Sequence, residues 1–165
     1  MAKRVVDKTF DEKIIKISRV SKTVKGGRKI SFSVMAAVGD KKGKVGIGLG
    51  KANGVPDAIK KAIAVAKQNL VEVSLVNNTI PHPFIGEFSS TQVILKPASE
   101  GTGVIAGSSA RDVLELVGIH NVLTKILGSK NKINVARATI EGLKGLKTKE
   151  EIAKLRGITV EKLLG

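Results

Sequence analysis

The spacing of apolar residues in the first part of the chain predicts three strands and one helix. Ile14 to Val20 and Lys29 to Val38 are rich in Ile, Val and Ser, and Gly26-Gly27 separates them. A third run, Lys44 to Gly50, is thinned by glycine. From Ala58 to Leu70 the apolar residues recur at helical spacing, with lysines on the other faces. We therefore expect a three-stranded sheet backed by one helix.

The second part of the chain predicts strands and helices in a different order. The order strand–helix–strand–helix favours an α+β layer. Asn77-Asn78 and Pro81-His82-Pro83 interrupt the chain near the change, so we predict two domains, residues 1–73 and 74–165. The predicted elements of the second domain are a strand at Gln92 to Lys96, a helix capped by Ser108 or Ser109 and ending at Val117, a strand at His120 to Leu127, and helices at Asn134 to Leu146 and Lys149 to Arg156.

The composition excludes several classes of protein. The 165 residues contain no Cys and only two His, which excludes disulfide scaffolds, thiolate zinc sites and cysteine nucleophiles. No uncharged apolar run approaches the roughly 18 residues of a membrane span. The first residues are charged where a signal peptide has an apolar core. We expect a soluble protein of the cytoplasm that binds no metal and no cofactor.

The net charge and its placement predict a polyanionic partner. Lys and Arg number 29 against 14 Asp and Glu, which gives a formal charge of +15. Residues 1–70 hold 17 of the basic residues and five of the acidic ones. A solvated surface is the alternative interpretation, but acids that would balance the charge are missing from the most basic stretch. Between Lys13 and Val38 the chain has no acid and seven basic residues: Lys13, Lys16, Arg19, Lys22, Lys25, Arg28 and Lys29.

Two glycine patterns are similar to nucleotide-binding motifs, and both are incomplete. A phosphate-binding loop needs Gly-Lys followed by Ser or Thr, but Ala52 follows Gly50-Lys51. The segment Gly101 to Ala106 matches the dinucleotide fingerprint, yet no Asp or Glu stands between Leu116 and Ile140 to hold a ribose. At the first pattern we favour a strand whose glycines let another backbone approach closely. At the second we favour a structural loop or a loop that faces a partner.

The segment Lys25-Gly26-Gly27-Arg28-Lys29 predicts a tight loop with cations on both sides. Glycine lets the chain bend, and the flanking side chains reach phosphates without steric hindrance. An ordinary hairpin tip is the alternative interpretation.

The residue types also limit the chemistry. The chain groups no nucleophile, base and orienting residue, so we predict that it is not an enzyme. We expect His82 to be a structural loop residue and His120 to pack beside a strand. With four Phe and no Tyr or Trp, base stacking is a poor mode of binding. Phosphate contact and shape recognition are favoured, which indicates folded, largely double-helical RNA, or DNA held without sequence readout.

Four motifs resemble those of the bacterial S5 family of small-subunit ribosomal proteins. They are RVSKTVKGGR at Arg19–Arg28, GLGKA at Gly48–Ala52, PASEGTGVIAG at Pro97–Gly107 and GS-x-N-x-x-N at Gly128–Asn134. The resemblance runs from about residue 10 to the C-terminus. It implies an N-terminal domain like double-stranded RNA-binding domains without their first helix, and a C-terminal α+β sandwich with a left-handed crossover.

The resemblance implies a structural role in the small ribosomal subunit. Family members bind folded ribosomal RNA between the body and the head, on the side where the messenger RNA enters, and they contact ribosomal proteins S4 and S8 and influence decoding accuracy. The loop at residues 20–28 would lie near the spectinomycin site.

We assign site residues from the resemblance and the charge pattern together. The positions that would contact a protein partner, S4, are Gly101, Thr102, Gly103 and Arg111. The positions that would bind RNA are Arg19, Lys22, Lys25, Gly26, Gly27, Arg28, Lys29, Lys44, Lys51, Lys125, Ser129, Asn131, Asn134 and Arg137.

The chain departs from the family pattern in two places. Ile47 and Leu49 stand where relatives often carry aromatics, and Asn53-Gly54 replaces a charged pair. Three other functions stay open at this point: a free RNA-binding or chaperone protein, a small phosphotransferase of similar C-terminal fold, and a protein of the membrane surface, which would need a basic amphipathic helix.

Overall fold

The computed structural model describes residues 10–164, which form two four-stranded sheets and five helices. The first sheet has the strand order β1-β2-β3-β4 and the second β5-β6-β8-β7. The elements are β1 (Asp11–Val24), β2 (Gly27–Gly39), β3 (Lys44–Ala52), α1 (Val55–Gln68), β4 (Leu70–Glu72), β5 (Phe84–Phe88), β6 (Thr91–Pro97), β7 (Val104–Ile105), α2 (Ser108–Val117), β8 (Val122–Gly128), α3 (Lys132–Lys144), α4 (Lys149–Arg156) and α5 (Val160–Leu164).

The first sheet is antiparallel throughout, and α1 covers one face of it. Glycines alternate along the face of β3 that meets the buried alanines of α1. A Cβ on Gly46 would overlap the Ala66 carbonyl oxygen, and a Cβ on Gly48 would overlap that of Ala62. The helix therefore packs directly on the strand backbone, as expected from the glycine pattern. The prediction of a sheet backed by one helix is confirmed, and β4 adds a short fourth strand.

The hairpin of β1 and β2 extends beyond the rest of the sheet. Pairing between β2 and β3 begins at Phe32 and Ala52, so Gly27 to Ser31 pair with β1 alone. All residues from 20 to 30 are exposed. The predicted strands ended too early toward the turn that joins them. They were inferred from apolar residues, but two strands joined by a tight turn can stay paired even where neither has a buried face.

The second sheet is mixed, with β7 parallel to β8 and the other pairs antiparallel. The helix α2 connects β7 to β8, so this unit is a parallel crossover, whose hand stays a prediction. The strand β5 was missed because it is short and follows Pro83, and α5 was missed because it is short.

Two helix starts differ from the prediction. The N-cap of α2 is Gly107, which has no side chain to form a hydrogen bond, so the predicted serine cap is wrong. The helix α3 starts at Lys132, earlier than expected, because the Asn131 side chain accepts a hydrogen bond from Ile133 N at 3.2 Å.

The turn between β2 and β3 joins the two parts of the molecule. Lys41 N donates to Leu116 O at 3.0 Å and Gly43 N donates to Val117 O at 2.9 Å, so this turn occupies the last carbonyls of α2. One apolar cluster continues from Met35 of the first sheet to residues of α2, α3 and the second sheet. The two parts therefore share one core. None of the helices in residues 10–164 combines the length and the hydropathy that crossing a bilayer requires.

Candidate nucleic-acid interface

The hairpin at residues 20–30, which we call the basic hairpin, presents cations directly opposite each other. Lys22 pairs with Lys29 across the two strands, and Thr23 pairs with Arg28. Like charges in this arrangement repel each other, so an anion bound between them would stabilise the hairpin. Its two-residue turn needs Gly26 for its φ of 93°, and a Cβ there would meet no atom within 4 Å. The tip is therefore open to a large ligand.

No carboxylate of the described residues neutralises this hairpin. The ion pairs found within residues 10–164 use Lys13, Lys41, Lys67 and Lys144. The five predicted cations at or beside the hairpin, Arg19, Lys22, Lys25, Arg28 and Lys29, are absent from them and are exposed. Their charge is available to an external anion.

A groove of about 770 Å³ runs beside the basic hairpin, and we call it the basic groove. It lies where β2 continues past the end of β3, and α1 begins on its far side. Its lining combines four lysines with one acid and a few small or polar residues: Val20, Lys22, Ser31, Lys51, Ala52, Asn53, Asp57, Lys60 and Lys61. The structure thus brings the predicted Lys22 and Lys51 together.

Lys60 and Lys61 are the functional candidates that the sequence reasoning missed. Their helical spacing assigned them to the solvent face of α1, and only the packing of α1 beside the hairpin shows that they line the basic groove. Lys44, by contrast, lies at the other end of β3 from Lys51, seven residues or roughly 23 Å away. The structure does not place Lys44 in the basic groove.

Four of the five predicted RNA contacts of the second domain lie between the end of β8 and the middle of α3. Asn131 caps α3, and the Ser129 hydroxyl accepts a hydrogen bond from Asn131 N at 3.4 Å. The Arg137 guanidinium lies over the Phe88 ring, 5.0 Å from its centroid, where it gains a cation–π contact. Asn134 is half-buried in the first turns of α3. Lys125 points elsewhere, to the face of the second sheet that carries no helix.

The residues assigned to a protein partner lie in one region. Gly101 and Gly103 have φ values of 87° and 77° in the loop before β7, and Gly103 N donates to Asn121 Oδ1 at 3.1 Å. Thr102 lies between them, and Arg111 is exposed in the first turns of α2. The loop is held from within the protein while its surface stays accessible.

Both histidines can now be placed. His82 accepts a hydrogen bond from Lys147 N on Nε2 at 3.3 Å, so its predicted structural role in a loop is confirmed. The expectation for His120 is wrong: it is exposed and lines an open cleft with Lys41, Arg111 and Glu115, because β8 begins only at Val122. Within the described part of the chain, no three His, Cys, Asp or Glu side chains lie together as metal ligands.

This geometry defines a basic, two-domain α+β protein with a protruding hairpin whose unpaired cations suit a polyanion. Family models for the N-terminal and C-terminal domains of ribosomal protein S5 match residues 10–74 and 86–156. The chain belongs to the ribosomal protein S5 family. The predicted family and fold class are confirmed, and the prediction that the chain is not an enzyme is confirmed by the family. The division at residues 73 and 74 stays a prediction.

Curated relatives match nearly the whole chain. The small ribosomal subunit protein uS5 of Fusobacterium nucleatum subsp. nucleatum is 65% identical over 158 residues, which are 96% of this chain and 96% of the relative. The protein of the same name from Thermotoga neapolitana is 58% identical, over 93% of this chain and 86% of the relative. That from Syntrophobacter fumaroxidans is 55% identical, over 92% of each.

Proposed function

We propose that this chain is a structural component of the small ribosomal subunit and binds folded ribosomal RNA with the basic hairpin and the basic groove. The observation that carries the proposal is the hairpin itself, which faces Lys22 against Lys29 without a neutralising acid among the described residues. The names of the relatives support the assembly to which the chain is assigned.

The proposed mode of binding is contact with phosphates and with the shape of the RNA. No aromatic side chain lies in residues 20–30, so the hairpin has no platform for stacked bases. Its lysines and Arg28 supply charge, and β2 from Gly27 to Ser31 has no partner strand on the side away from β1. Backbone donors on that edge and cations in the groove suit phosphate oxygens.

The finer part of the proposal concerns the position of the chain in the small subunit and its influence on the accuracy of decoding. The resemblance supplies the location between body and head, the partners S4 and S8, and the influence on decoding. The structure supports a mechanical link between these roles, because α2 carries Arg111 near its start and is bound at its end by the turn of the first sheet. A displacement at the partner surface is thereby passed to the basic hairpin as a rigid-body movement.

The first prediction tests the hairpin by salt dependence. In Lys22→Gln/Lys25→Gln/Arg28→Gln we expect weaker RNA binding and a slope of log K against log salt that is smaller by about three, one for each lost phosphate contact. Titration of the full chain with small-subunit RNA at several salt concentrations measures this slope. The control is Lys149→Gln/Lys154→Gln/Lys162→Gln, which removes the same charge from exposed positions of α4 and α5.

An unchanged slope in the hairpin variant would show that the hairpin is only a solvated turn. Sedimentation of a lysate at moderate and high salt distinguishes a ribosomal component from a free RNA-binding protein. A chain that stays with small subunits through the high-salt wash is an integral component, whereas one that leaves them is a free RNA-binding protein.

A further inference from the structure

A cleft of about 370 Å³ lies between the first sheet and α3, and we call it the interdomain cleft. Residues of β2, β3 and β4 and the end of α1 line one side of it. The end of β5 and one side of α3 line the other. Small-molecule sites begin at a volume of about 300 Å³ and occur preferentially where two domains meet. The size and the place of this cleft are those of a ligand site.

The first sheet gives the interdomain cleft a continuous apolar surface. Met35 is paired with Leu49 across β2 and β3, and Ile47 is on the same face of β3 as Leu49. Ile140 of α3 lines the cleft opposite them. Met35 and Ile140 are buried, whereas Ile47 and Leu49 are half-buried. A flat apolar group that covered these side chains would remove more of their surface from water.

The helix α3 brings one uncompensated cation to the cleft. Arg137, Glu141 and Lys144 lie at helical spacing and line it together. Lys144 Nζ pairs with Glu141 Oε1 at 2.7 Å, which neutralises that end of the cleft. Arg137, about 10.5 Å farther along the helix axis, forms no ion pair within the described residues. An anion in the cleft would therefore bind at Arg137.

Phe88 positions the Arg137 guanidinium without using its hydrogen-bond donors. The guanidinium lies over the Phe88 ring, 5.0 Å from its centroid, and both residues are half-buried. A cation–π contact is made through the face of the guanidinium, whereas its N–H groups point outward in its plane. Arg137 can therefore still bind a phosphate through two hydrogen bonds.

Asn69 adds a polar group that can both donate and accept hydrogen bonds. Its backbone N–H caps the end of α1 on the Val65 and Ala66 carbonyls, and its exposed side chain lines the cleft. The side-chain amide matches the edge of a nucleobase, which also carries donors and acceptors. An acyl chain would leave this amide without a partner, and inorganic phosphate would leave the apolar surface in water.

We propose that the interdomain cleft binds one nucleotide, with its base against Ile47 and Leu49 and its phosphate on Arg137. The nucleotide is either free in solution or an unpaired residue of an RNA chain. The first source is independent of the proposed function, and the second rests on it. In both cases the site is separate from the basic hairpin and the basic groove.

NMR titration of the full chain, isotope-labelled at its methyl groups, tests the proposal. With AMP we expect shifts of the Ile47, Leu49 and Ile140 methyl signals. Ribose 5-phosphate is the matched control, since it carries the phosphate without the base, and it should leave these signals in place. A single-stranded tetra-adenylate identifies the source, because shifts with this probe alone assign the site to RNA. The proposal is overturned if AMP and the tetra-adenylate both leave the signals in place, or if ribose 5-phosphate moves them equally.

Two variants test the roles of the charge and of the apolar surface. In Arg137→Gln we expect the affinity for the nucleotide probe to fall about tenfold. Leu49→Trp places a ring where the base would lie, so the shifts of Ile47 and Ile140 should be lost. The matched control is Arg156→Gln, which removes the same charge from an exposed position of α4 and should keep the affinity within about twofold. Equal affinities of the two glutamine variants would remove the phosphate site.

The hairpin variant Lys22→Gln/Lys25→Gln/Arg28→Gln keeps this test separate from the proposed function. It should retain the nucleotide shifts of the interdomain cleft. If it loses them, the probe acts through the hairpin and the cleft proposal fails. If it retains them and its salt slope for RNA is unchanged, the RNA role of the hairpin fails and the nucleotide site stands.

Discussion

Lys13 is the residue that connects the charge of the first sheet to the second domain. From its position in β1, the Lys13 ammonium group pairs with Asp112 at 3.5 Å and with Glu115, both on α2. The hydrogen bond with Glu115 raises the pKa of Lys13 above its ordinary value of 10.5, and the charges of both acids act in the same direction while partial burial opposes them. The first cation of the basic stretch thus has a structural role, unlike those of the hairpin.

Replacing Lys13 by Met should lower the free energy of unfolding at neutral pH and should lower it by less at alkaline pH. Because the pKa of Lys13 is higher in the folded chain, its contribution is complete below about pH 10.5 and is lost as the pH rises through the folded value. Urea unfolding of both proteins at about pH 8 and about pH 11 measures the change. Lys16→Met is the control, since Lys16 forms no ion pair within the described residues. A pH-independent difference for Lys13→Met contradicts this role.

The glycines that follow two of the helices allow the cost of backbone strain to be compared with the cost of losing a contact between the domains. Gly118 and Gly157 follow α2 and α4 with φ values of 96° and 65°, so each needs the left-handed conformation that glycine favours. A Cβ on Gly157 would meet no atom within 4 Å, but one on Gly118 would overlap the Lys41 carbonyl oxygen. Gly118 is therefore also a place where the turn between β2 and β3 lies close against the end of α2.

Gly118→Ala should destabilise the protein more than Gly157→Ala. The left-handed conformation alone costs about 1–2 kcal/mol for alanine, which is the expected effect at Gly157. At Gly118 the displaced turn adds about 1–3 kcal/mol. Denaturant unfolding of both variants gives the two free energies, and hydrogen exchange at Lys41 N and Gly43 N reports whether the turn detaches. Equal losses would mean that the turn does not bind α2 tightly.

Elements with a regular apolar period could be predicted from the sequence, and short ones could not. The apolar period of α1 and the repeated glycines of β3 could be recognised in the sequence, because these two elements follow each other in the chain and pack against each other. The strands β4 and β5 have three and five residues, too few to show a period. The N-cap at Gly107 was missed because serines stand beside it and serine caps more often.

The candidate site could be predicted only as far as it is local. The basic hairpin was visible because its cations are close in sequence and lack acids. Lys60 and Lys61 belong to the same groove through the packing of α1, which a helical period does not reveal.

The molecule as a whole behaves as one body with several contact surfaces. Its apolar cluster, the docked turn and the ion pairs of Lys13 connect the two domains. The basic hairpin lies at one end of the first sheet and the loop of Gly101 to Gly103 lies in the second domain. A change of contact at one surface therefore changes the orientation of the others without altering the fold.

Gly103→Leu should change function in the assembled particle more than stability in the free chain. A Cβ at Gly103 would meet no atom within 4 Å, and the cost is the left-handed strain of about 1–2 kcal/mol. The larger side chain would project from the proposed partner surface, so we expect more decoding errors. Misreading assays with ribosomes carrying the variant measure this effect, and thermal unfolding of the isolated variant is the control. Normal accuracy would count against this surface.

The mutual repulsion in the basic hairpin has a consequence for surplus copies of the chain. Because Lys22 and Lys29 repel each other in the free chain, we expect the exposed hairpin to open more readily than the rest of the first sheet. It then offers four cleavage points to a trypsin-like protease, after Lys22, Lys25, Arg28 and Lys29. In an assembled particle, RNA would cover the same peptide bonds. Limited digestion should therefore cut the free chain first within residues 22–29 and leave the assembled chain whole. The segment proposed to bind RNA would then also mark unassembled molecules for removal.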